Sequence, residues 1–164
     1  MKVTNEMVLF WDGIYSNFYP CKFKVGGVNF VTSEQYFMYI KASHFGDKEI
    51  AHAILNESNP LYCKQMGRSI ANYNEASWDV VRYEIMRDAC YAKFSQNEDL
   101  KHMLLSTGDK ILVEASPYDK IWGIGRYEDD PKSLNQSTWK GKNLLGEVLM
   151  EVREKLRNGG ENNG

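Results

Sequence analysis

Residues Thr32–Ala42 read TSEQYFMYIKA and combine a helix start with an apolar helical face. Thr32 lies three residues before Gln35, which is the spacing of a capping box, so we expect a helix to begin near Ser33. Apolar side chains recur at helical spacing within this segment, at Tyr36, Phe37 and Ile40. The sequence therefore predicts a helix that ends near Ala42 and buries one face.

Short strands are predicted before this helix and mainly helices after it. Strand-like apolar runs occupy residues 8–11, 22–25 and 28–31, with a Gly26-Gly27 hairpin turn between the last two. Helical patterns cover residues 47–56, 61–70, a segment capped by Ser77 that reaches Ala92, 96–105, and a segment capped by Asn143 that reaches Leu156. A strand at 111–114 and an ordered loop at 115–137 precede the last helix. The expected fold class is α+β, predominantly α-helical, with a few short β-strands.

Two apolar stripes predict the core faces of the longer helices, namely Val81, Ile85, Ala89, Ala92 and Leu145, Leu149, Val152, Leu156. The length of 164 residues fits one compact domain, and neither an internal repeat nor a linker divides the chain. We therefore expect a single domain over residues 1–157. The segment 158–164 reads NGGENNG, has nothing to bury, and is predicted to be a flexible polar tail.

The composition is that of a globular protein and restricts the function classes. Apolar residues make up 43% and charged residues 26% of the chain. The 20 Lys and Arg against 22 Asp and Glu give a net charge of −2, which argues against strong, sequence-independent nucleic-acid binding but leaves room for a local cationic pocket. Aromatic residues reach 13%, and Tyr and Trp suit stacking on a flat ring.

Cysteine usage and the N-terminus indicate a cytoplasmic protein. Cys21, Cys63 and Cys90 lie far apart and form no Cys/His cluster, so we expect reduced thiols, no disulfide framework and no metal. The N-terminal MKVTNE lacks the apolar core of a signal peptide. No stretch approaches the roughly 18 apolar residues that a membrane helix needs.

Glu34 and Lys41 are candidate catalytic residues on the first predicted helix. Seven residues separate them, which places them on roughly one face and about 10 Å apart along the axis. Such a pair can flank a sugar without neutralising itself. The alternative is structural, because the helix macrodipole alone favours a Glu in the first turn, and these residues taken alone favour that alternative.

The stretch 114–125 reads EASPYDKIWGIG and joins a predicted strand to a loop. Asp119 and Trp122 lie close together there, and loops that leave a strand often carry working groups. Gly123 and Gly125 permit close approach of the backbone to a ligand, although they complete no known nucleotide-binding motif. An ordinary turn with a buried Trp is the alternative, and we prefer the functional interpretation.

A third candidate lies at 139–146, which reads WKGKNLLG. Lys140 and Lys142 precede the helix start at Asn143, so charge, amide donors and the helix dipole together suit a phosphate. A solvated, capped turn is the alternative, and these residues alone favour it. His44, His52 and His102 show no metal-binding spacing and are expected to be structural or surface residues.

At these same segments the chain resembles the YbiA/NADAR family. The matching stretches, in family order, are Tyr15–Pro20, Thr32–Met38, Lys41 and Ala42 with Phe45 and Asp47, Lys64 with Gly67 and Arg68, Trp78, Arg82 with Met86, Ala92–Phe94, Leu105–Gly108, Glu114–Asp119, Ile121–Gly125, and Trp139 with Gly141–Gly146. They extend roughly from Leu9 to Leu156. So many ordered matches are more specific than any one of them.

The resemblance implies a small, mainly helical fold and an N-glycosidase activity, and our leading hypothesis is an N-glycosidase that uses no cofactor and no metal. It implies two substrate classes, the ribosylamino-pyrimidine phosphates of early riboflavin synthesis and ADP-ribose attached to the amino group of guanine, including guanine in DNA. The family's functional positions fall on Glu34, Lys41, Trp78, Asp119 and Trp122. Further substrate-binding positions are expected at Asn17, Arg68, Tyr118, Gly123, Gly125, Lys142 and Asn143.

Both substrate classes have ribose C1 bonded to an exocyclic nitrogen, and breaking that bond builds positive charge on C1. We expect Asp119 or Glu34 to stabilise this charge while the other activates water. A second route opens the ribose ring and lets Lys41 displace the base through a Schiff base. A non-catalytic module that binds ADP-ribose or NAD, and an interaction domain whose aromatic residues are all core, are the alternative functions.

Overall fold

The structure, a computed structural model, describes residues 1–159 and divides into two compact units. The central unit is Asn17–Asn97, and the terminal unit consists of Met1–Ser16 with the chain from Glu98 onward. The expected single domain over residues 1–157 stays a prediction. Of the predicted flexible tail, residues 160–164 lie outside the described residues, and Asn158 and Gly159 form a turn after the last helix.

The elements follow the expected order of short strands and dominant helices. Within residues 1–159 the strands are β1 (Lys2–Val3), β2 (Met7–Phe10), β3 (Phe23–Val25), β4 (Val28–Phe30) and β5 (Ile111–Glu114). The helices are α1 (Ser33–His44), α2 (Lys48–Leu55), α3 (Pro60–Gly67), α4 (Glu75–Ser95), α5 (Glu98–Ser106) and α6 (Leu144–Arg157). The loop predicted at 115–137 contains a 3-10 helix at Pro131–Leu134, and another follows at Gln136–Thr138.

The first helix begins at the predicted position. Thr32 is the N-cap of α1, and its Oγ1 accepts the backbone N–H of Gln35 at 3.0 Å. The Gln35 side chain does not close the box on Thr32. Its Oε1 accepts the N–H of Val31 at 2.9 Å, and its Nε2 donates to the carbonyl of Glu57 at 3.0 Å. A single glutamine therefore fixes both the entry to α1 and the segment that follows α2.

The start of α4 differs from the prediction. Asn74, not Ser77, is the N-cap, and its Oδ1 accepts the N–H of Ser77 at 2.8 Å. Because Asn is as good a cap as Ser and lies three residues earlier, the helix gains nearly one further turn. Ser77 instead hydrogen-bonds the Nε2 of His44 through its Oγ at 2.8 Å.

The buried face of α4 is rotated from the predicted stripe. Ala89 and Ala92 are buried as expected, but Val81 and Ile85 are only half-buried. The other fully covered positions from the middle of the helix onward are Met86, Cys90, Lys93 and Phe94. A lysine at a core position is invisible to an apolar pattern, which explains the displaced stripe.

The terminal unit is built on a three-stranded sheet in the order β1-β2-β5. β2 pairs in parallel with β5, with Met7 opposite Ile111 and Phe10 opposite Glu114. α6 packs against β5, and its predicted stripe is buried in full, at Leu145, Leu149, Val152 and Leu156. This sheet and helix hold the loop that leaves β5.

Asn143 precedes α6 but does not cap it through its side chain, so that prediction is wrong. Its backbone is left-handed, with φ of 55°. Its Oδ1 accepts the N–H of Glu114 at 2.9 Å, and its Nδ2 donates to the carbonyl of Leu112 at 3.0 Å. The side chain joins α6 to β5 instead. No helix of residues 1–159 has the length and apolar character required to cross a membrane.

Candidate active site

The predicted site residues form two groups, one in each unit. The group in the central unit consists of Asn17, Glu34, Lys41, Arg68 and Trp78. The group in the terminal unit consists of Tyr118, Asp119, Trp122, Gly123, Gly125, Lys142 and Asn143.

Glu34 is buried in the first turn of α1, where only 6% of the residue is exposed. Its backbone N–H donates to the carbonyl of Asn17 at 3.1 Å. The neighbouring Ser33 donates from its Oγ to the Oδ1 of Asn17 at 2.8 Å. These bonds fix the start of α1 and hence the position of the Glu34 carboxylate, and a negative charge is favourable at a helix N-terminus.

Asn17 is itself buried, and the hydrogen bonds described here join it to other residues of the protein. Besides accepting from Ser33 and Glu34, its Nδ2 donates to the sulfur of Met86 at 3.4 Å. These contacts describe a residue that positions the catalytic candidate Glu34. Its predicted contact with substrate stays a prediction.

Lys41 lies on the same helix as Glu34, two turns further along, and is half-buried. Its Nζ donates to the carbonyl of Gly67 at 3.0 Å. The same nitrogen lies 4.7 Å from the ring centroid of Tyr73 and 5.9 Å from that of Trp78. The ammonium group therefore has aromatic faces and one carbonyl around it, which are weaker partners than bulk water or a direct carboxylate pair.

The pKa of Lys41 is lowered from its ordinary value, chiefly because burial penalises the ammonium form. The charge of Glu34 raises this pKa and the charge of Arg68 lowers it, but neither reverses the effect of burial. At a given pH, a larger fraction of Lys41 is therefore neutral than of an exposed lysine. A neutral amine is the form that attacks a carbon centre.

Trp78 is also buried, with 5% of the residue exposed. Its ring packs against those of Phe37 at 5.2 Å, His44 at 6.0 Å and Phe45 at 6.3 Å. This ring is therefore part of the core and at the same time a neighbour of Lys41. The predicted stacking of Trp78 on a substrate ring stays a prediction.

Sequence reasoning missed two partners of Lys41, the Tyr73 ring and the Gly67 carbonyl. Both lie in segments that end or precede a helix, where no periodic pattern marks a residue as important. The Gly67 carbonyl has no side-chain signal at all. The only available hint was that Gly67 and Arg68 occur in one of the matching stretches.

Asp119 is half-exposed in the loop after β5, and its carboxylate accepts hydrogen bonds from backbone groups of the same loop. The Oδ1 atom accepts the N–H of Ile121 at 2.9 Å and that of Trp122 at 2.8 Å. These bonds form a tight turn that fixes the backbone of Trp122 relative to Asp119. The second carboxylate oxygen is not part of these two bonds.

Gly123 and Gly141 allow backbone segments of this region to pack closely against each other. A Cβ on Gly123 would lie 2.9 Å from the carbonyl oxygen of Asp119, and one on Gly141 would lie 2.2 Å from the carbonyl oxygen of Gly123. Gly125 has a φ of 71°, which disfavours other residues. At Gly123 the close approach that was expected for a ligand is therefore made by protein backbone, whereas the expected approach at Gly125 stays a prediction.

The amide donors expected for a phosphate at the start of α6 already have partners. The N–H groups of Lys142, Asn143, Leu144 and Leu145 donate to the carbonyls of Lys120, Gly123, Ile121 and Trp122, at 2.9 to 3.1 Å. That part of the phosphate prediction is wrong, because the loop from Lys120 to Gly123 occupies these amides. The exposed ammonium groups of Lys140 and Lys142 remain as candidate anion contacts.

Among residues 1–159, no group of three or more His, Cys, Asp or Glu side chains is arranged to hold a metal ion. The expected absence of a metal from the reaction stays a prediction.

Most of the chain is similar to a known protein family and to named relatives. The family model of the NADAR domain matches residues 9–157. Protein irg-1 of Caenorhabditis elegans is 43% identical over 171 residues, covering 93% of this chain and 81% of its own. N-glycosidase R617 of Acanthamoeba polyphaga mimivirus is 43% identical over 146 residues, covering 86% of each protein.

A solved structure supports the fold. N-glycosidase YbiA of Escherichia coli is 37% identical over 144 residues, covering 88% of this chain and 81% of its own. The NMR structure of the E. coli protein YbiA gives a TM-score of 0.78 at 33% identity, over 96% of this chain and 89% of that chain. The predicted α+β, predominantly helical fold class is thereby confirmed.

Proposed function

Because this chain belongs to the NADAR domain family, we propose that it hydrolyses the bond between ribose C1 and an exocyclic amine. It is an enzyme, a hydrolase of N-glycosyl bonds, like its relatives that carry the name N-glycosidase. The proposed substrates are ribosylamino-pyrimidine phosphates of riboflavin synthesis and guanine that carries ADP-ribose on its amino group. The proposed reaction takes place in the cytoplasm and uses water, without a metal or a cofactor.

The observation that carries the proposal is the pairing of a buried carboxylate and a half-buried amine on one helix. Glu34 and Lys41 are close enough for the charge of Glu34 to act on the pKa of Lys41. A carboxylate in a site with little water interacts strongly with positive charge that develops on a substrate. This pair supports either of two routes for cleaving a glycosylamine.

In the first route, the bond from C1 to the exocyclic nitrogen breaks while the ribose ring stays closed. The bonding electrons leave with the amine, which takes up a proton, and C1 becomes positively charged. We assign the stabilisation of this charge to Glu34, with Asp119 as the second candidate carboxylate. Water then adds to C1 and loses a proton, which completes the hydrolysis.

In the second route, the ring opens first and leaves an imine between C1 and the exocyclic nitrogen. The neutral Nζ of Lys41 adds to C1, the original amine departs with a proton, and a Schiff base joins C1 to Lys41. Water then adds to this Schiff base and releases ribose and the free lysine. The lowered pKa of Lys41 supports this route, because only the neutral amine can attack.

The phosphate groups of either substrate need cationic partners. We propose Arg68, which lies near enough to Lys41 to affect its pKa and is exposed, as the partner in the central unit. We propose Lys142 as the corresponding group in the terminal unit, and Tyr118 and Trp122 as ring contacts. Asn17 is proposed to act by holding the start of α1.

A side-by-side hydrolysis assay on the two substrate classes tests the proposal. We expect release of free pyrimidine and ribose 5-phosphate from the metabolite, or of ADP-ribose from modified guanine. Chromatography measures these products. Glu34→Gln is the negative control in both arms. If neither substrate is cleaved and calorimetry detects tight binding of ADP-ribose, the protein is a binding module and the proposal is wrong.

A further inference from the structure

Tyr73 lies in the turn between α3 and α4 of the central unit, and its ring faces the amine of Lys41. The Nζ of Lys41 is 4.7 Å from the centroid of this ring and 5.9 Å from that of Trp78. Both distances lie within the roughly 6 Å at which an aromatic face attracts a cation. Tyr73 is also 44% exposed, so substitutions there disturb the core far less than substitutions of the buried Trp78.

Contacts on both sides of Tyr73 fix its place in this turn. Two residues before it, the N–H of Ala71 donates to the Oδ2 of Asp47 at 2.8 Å, which attaches the turn to the segment between α1 and α2. One residue after it, Asn74 is the N-cap of α4. The ring itself packs against that of Phe45, just after α1, with centroids 5.3 Å apart and an angle of 63°. The ring is therefore held in place by contacts that do not involve the amine.

The Gly67 carbonyl is a second partner of the amine. Gly67 packs against α1 so closely that a Cβ there would collide with the sulfur of Met38, one turn before Lys41. The Nζ of Lys41 donates to this carbonyl at 3.0 Å. An ammonium group has three N–H donors, whereas a protonated Schiff base has one, because its nitrogen is bonded to two carbons. One carbonyl therefore satisfies the Schiff base completely and the ammonium group only in part.

The second route of the proposed function needs two opposite properties from this nitrogen. The amine must be neutral to attack, and burial favours that form by lowering the pKa of Lys41. The same burial disfavours the protonated Schiff base, although water adds readily to a Schiff base only when its nitrogen is positive. Groups that attract positive charge at this position therefore favour the later step. The charge of Glu34 acts in this direction, and that of Arg68 opposes it.

The Tyr73 phenol is protonated at neutral pH, so its ring attracts a cation through its face. Burial and the charges of Glu75 and Asp79 raise the pKa of this phenol from its ordinary value of 10.0, and Arg82 acts in the opposite direction. Arg82 is itself paired with Asp79 at 2.9 Å. The side chain of Tyr73 therefore acts neither as a base nor as a counter-ion at neutral pH.

We propose that Tyr73 is a further catalytic residue, whose ring stabilises the positive charge of a Schiff base on Lys41. The proposal rests on the second route of the proposed function and adds the group that supports its cation. When the original amine leaves C1 with a proton, Nζ keeps one hydrogen, forms a double bond to C1 and becomes positive. Water then adds its oxygen to C1, the electron pair of the double bond returns to Nζ, and a proton is released. The C1–Nζ bond finally breaks as a proton passes from the new hydroxyl to Nζ.

Ribose 5-phosphate tests this role without an N-glycosyl bond, because its open form is an aldehyde. The aldehyde condenses with the Nζ of Lys41 and releases water. After dilution the Schiff base hydrolyses, and borohydride added at intervals reduces what remains to a stable amine. Mass spectrometry of the peptide that contains Lys41 then gives the rate of hydrolysis.

Two replacements of Tyr73 keep the shape of the ring and differ in its electrons. Phenylalanine keeps the electron-rich face, whereas pentafluorophenylalanine withdraws the electrons that attract a cation. At a pH of about 9, where the protonated fraction limits the rate, hydrolysis in Tyr73→Phe is expected within about twofold of wild type. It is expected to be roughly three- to tenfold slower with pentafluorophenylalanine at position 73 and in Tyr73→Leu. Tyr62→Leu is the matched control and should leave the rate unchanged, since Tyr62 is 49% exposed on α3.

Equal rates with phenylalanine and pentafluorophenylalanine at position 73 would overturn the proposal, because a merely structural ring depends only on shape. The absence of any adduct on Lys41 of the wild-type protein would overturn it as well. If both N-glycosyl substrates remain uncleaved while the electrons of the ring still control hydrolysis of the ribose 5-phosphate adduct, only the proposed enzymatic function fails.

Discussion

Lys41 shows how a single side chain can be prepared for reaction by its surroundings. Burial favours its neutral form, whereas Glu34 and the ring of Tyr73 favour its charged form. The net effect is a lowered pKa, so a larger fraction of the amine is neutral at a given pH than in an exposed lysine, while its Nζ is hydrogen-bonded to the Gly67 carbonyl.

Borohydride should trap substrate on Lys41 if the Schiff-base route operates. The hydride reduces the imine to a stable secondary amine, so mass spectrometry is expected to find the added ribosyl mass on the peptide that contains Lys41. Lys41→Arg preserves a positive charge but provides no comparable nucleophile and should yield no adduct. An active Lys41→Arg variant, together with no adduct in the wild type, would leave only the carboxylate route.

The rate by the Schiff-base route should rise with pH. The pKa of Lys41 is lowered from its ordinary value of 10.5, so the amine becomes neutral at lower pH than an exposed lysine does. The expected profile of kcat/KM is a rise that levels off above this lowered pKa, with its midpoint below 10.5. A profile that is flat or falls over the alkaline range argues against Lys41 as nucleophile.

Glu34→Gln should reduce kcat by about 10²–10⁴-fold, since the amide cannot stabilise positive charge or transfer a proton as the carboxylate does. The change keeps the size of the side chain, so the fold is expected to persist by circular dichroism. Glu49→Gln, at an exposed position of α2, is the matched control and should keep nearly full activity. Loss of less than threefold in the Glu34 variant would remove this residue from the mechanism.

Helical periodicity made Glu34 and Lys41 candidates, because it places residues seven apart on one face, and the family resemblance raised them above the structural alternative. Neither argument indicated what surrounds Lys41, and the roles of both residues stay predictions. The Gly67 carbonyl and the Tyr73 ring reach Lys41 only through tertiary packing of α3 and the loop before α4 on α1. Such contacts depend on the paths of several elements and have no local signature.

At the scale of elements, α1 and α6 are both preceded by a short polar residue, but the two side chains bond different parts of the chain. Thr32 caps α1 within three residues, so a local pattern was sufficient to predict it. Asn143 precedes α6 in an equally suitable position, but its side chain bonds Leu112 and Glu114, about thirty residues earlier. In these two helices a short polar residue marks the helix start, but it does not indicate which groups its side chain bonds.

Asn143→Ala should lower the free energy of unfolding by about 2–4 kcal/mol. The variant loses the side-chain hydrogen bonds to the carbonyl of Leu112, which is buried, and to the N–H of Glu114, which is part-buried, and it forces alanine into a left-handed conformation. Asn143→Gly loses the same hydrogen bonds but tolerates the positive φ, so it should be about 1 kcal/mol more stable than the alanine variant.

Urea denaturation measures both Asn143 variants. Asn158→Ala, at an exposed position after α6, is the control and should change the free energy of unfolding by less than about 0.5 kcal/mol. If the alanine variant is as stable as wild type, the two side-chain hydrogen bonds of Asn143 do not contribute to the link between α6 and β5.

At the scale of the whole molecule, burial of Lys93 lowers the stability of the folded state when this side chain is charged. It is fully buried on α4, with its Nζ 4.9 Å from the ring centroid of Phe94 and 5.8 Å from that of Tyr19. Burial lowers its pKa to about 8, while the neighbouring thiols of Cys90 and Cys21 act in the opposite direction. Below that pH the folded protein must hold an ammonium group away from water.

Stability should therefore rise as pH increases from about 8 towards 10.5, the ordinary pKa of lysine. In this window the unfolded chain binds a proton that the folded chain does not, so deprotonation favours the folded state. The gain is up to about 3 kcal/mol. Other groups also titrate here, so the quantity to measure is the difference between wild type and Lys93→Met in chemical denaturation at pH 7.5 and about 10.

The Lys93→Met variant has no group to titrate at this position and should lack this part of the pH dependence. If the wild type and the variant change in parallel between the two pH values, Lys93 stays protonated in the folded state at both, as it does in the unfolded chain. The proposed cost of burying its charge would then be wrong.

Within residues 1–159 the six helices and four of the five strands were predictable, but β1 (Lys2–Val3) and the long-range connections were not. The parallel pairing of β2 with β5 joins Met7 to Ile111, and nothing in either strand specifies its partner. Likewise, the division into a central and a terminal unit places residues 1–16 with the chain from Glu98 onward. Local periodicity predicts elements, whereas pairing between distant segments is selected by the packing of the complete fold.

The loop from Lys120 to Gly123 is attached to the start of α6 through carbonyl oxygens, not through side chains. Substitutions at Lys120, Ile121 or Trp122 therefore leave this attachment in place. New specificities should accordingly be accessible by randomising these three positions, with the glycines and Asn143 kept constant. Because the proposed substrate contact Trp122 lies in this loop, variation here would change the proposed substrate contacts without removing the backbone hydrogen bonds to α6.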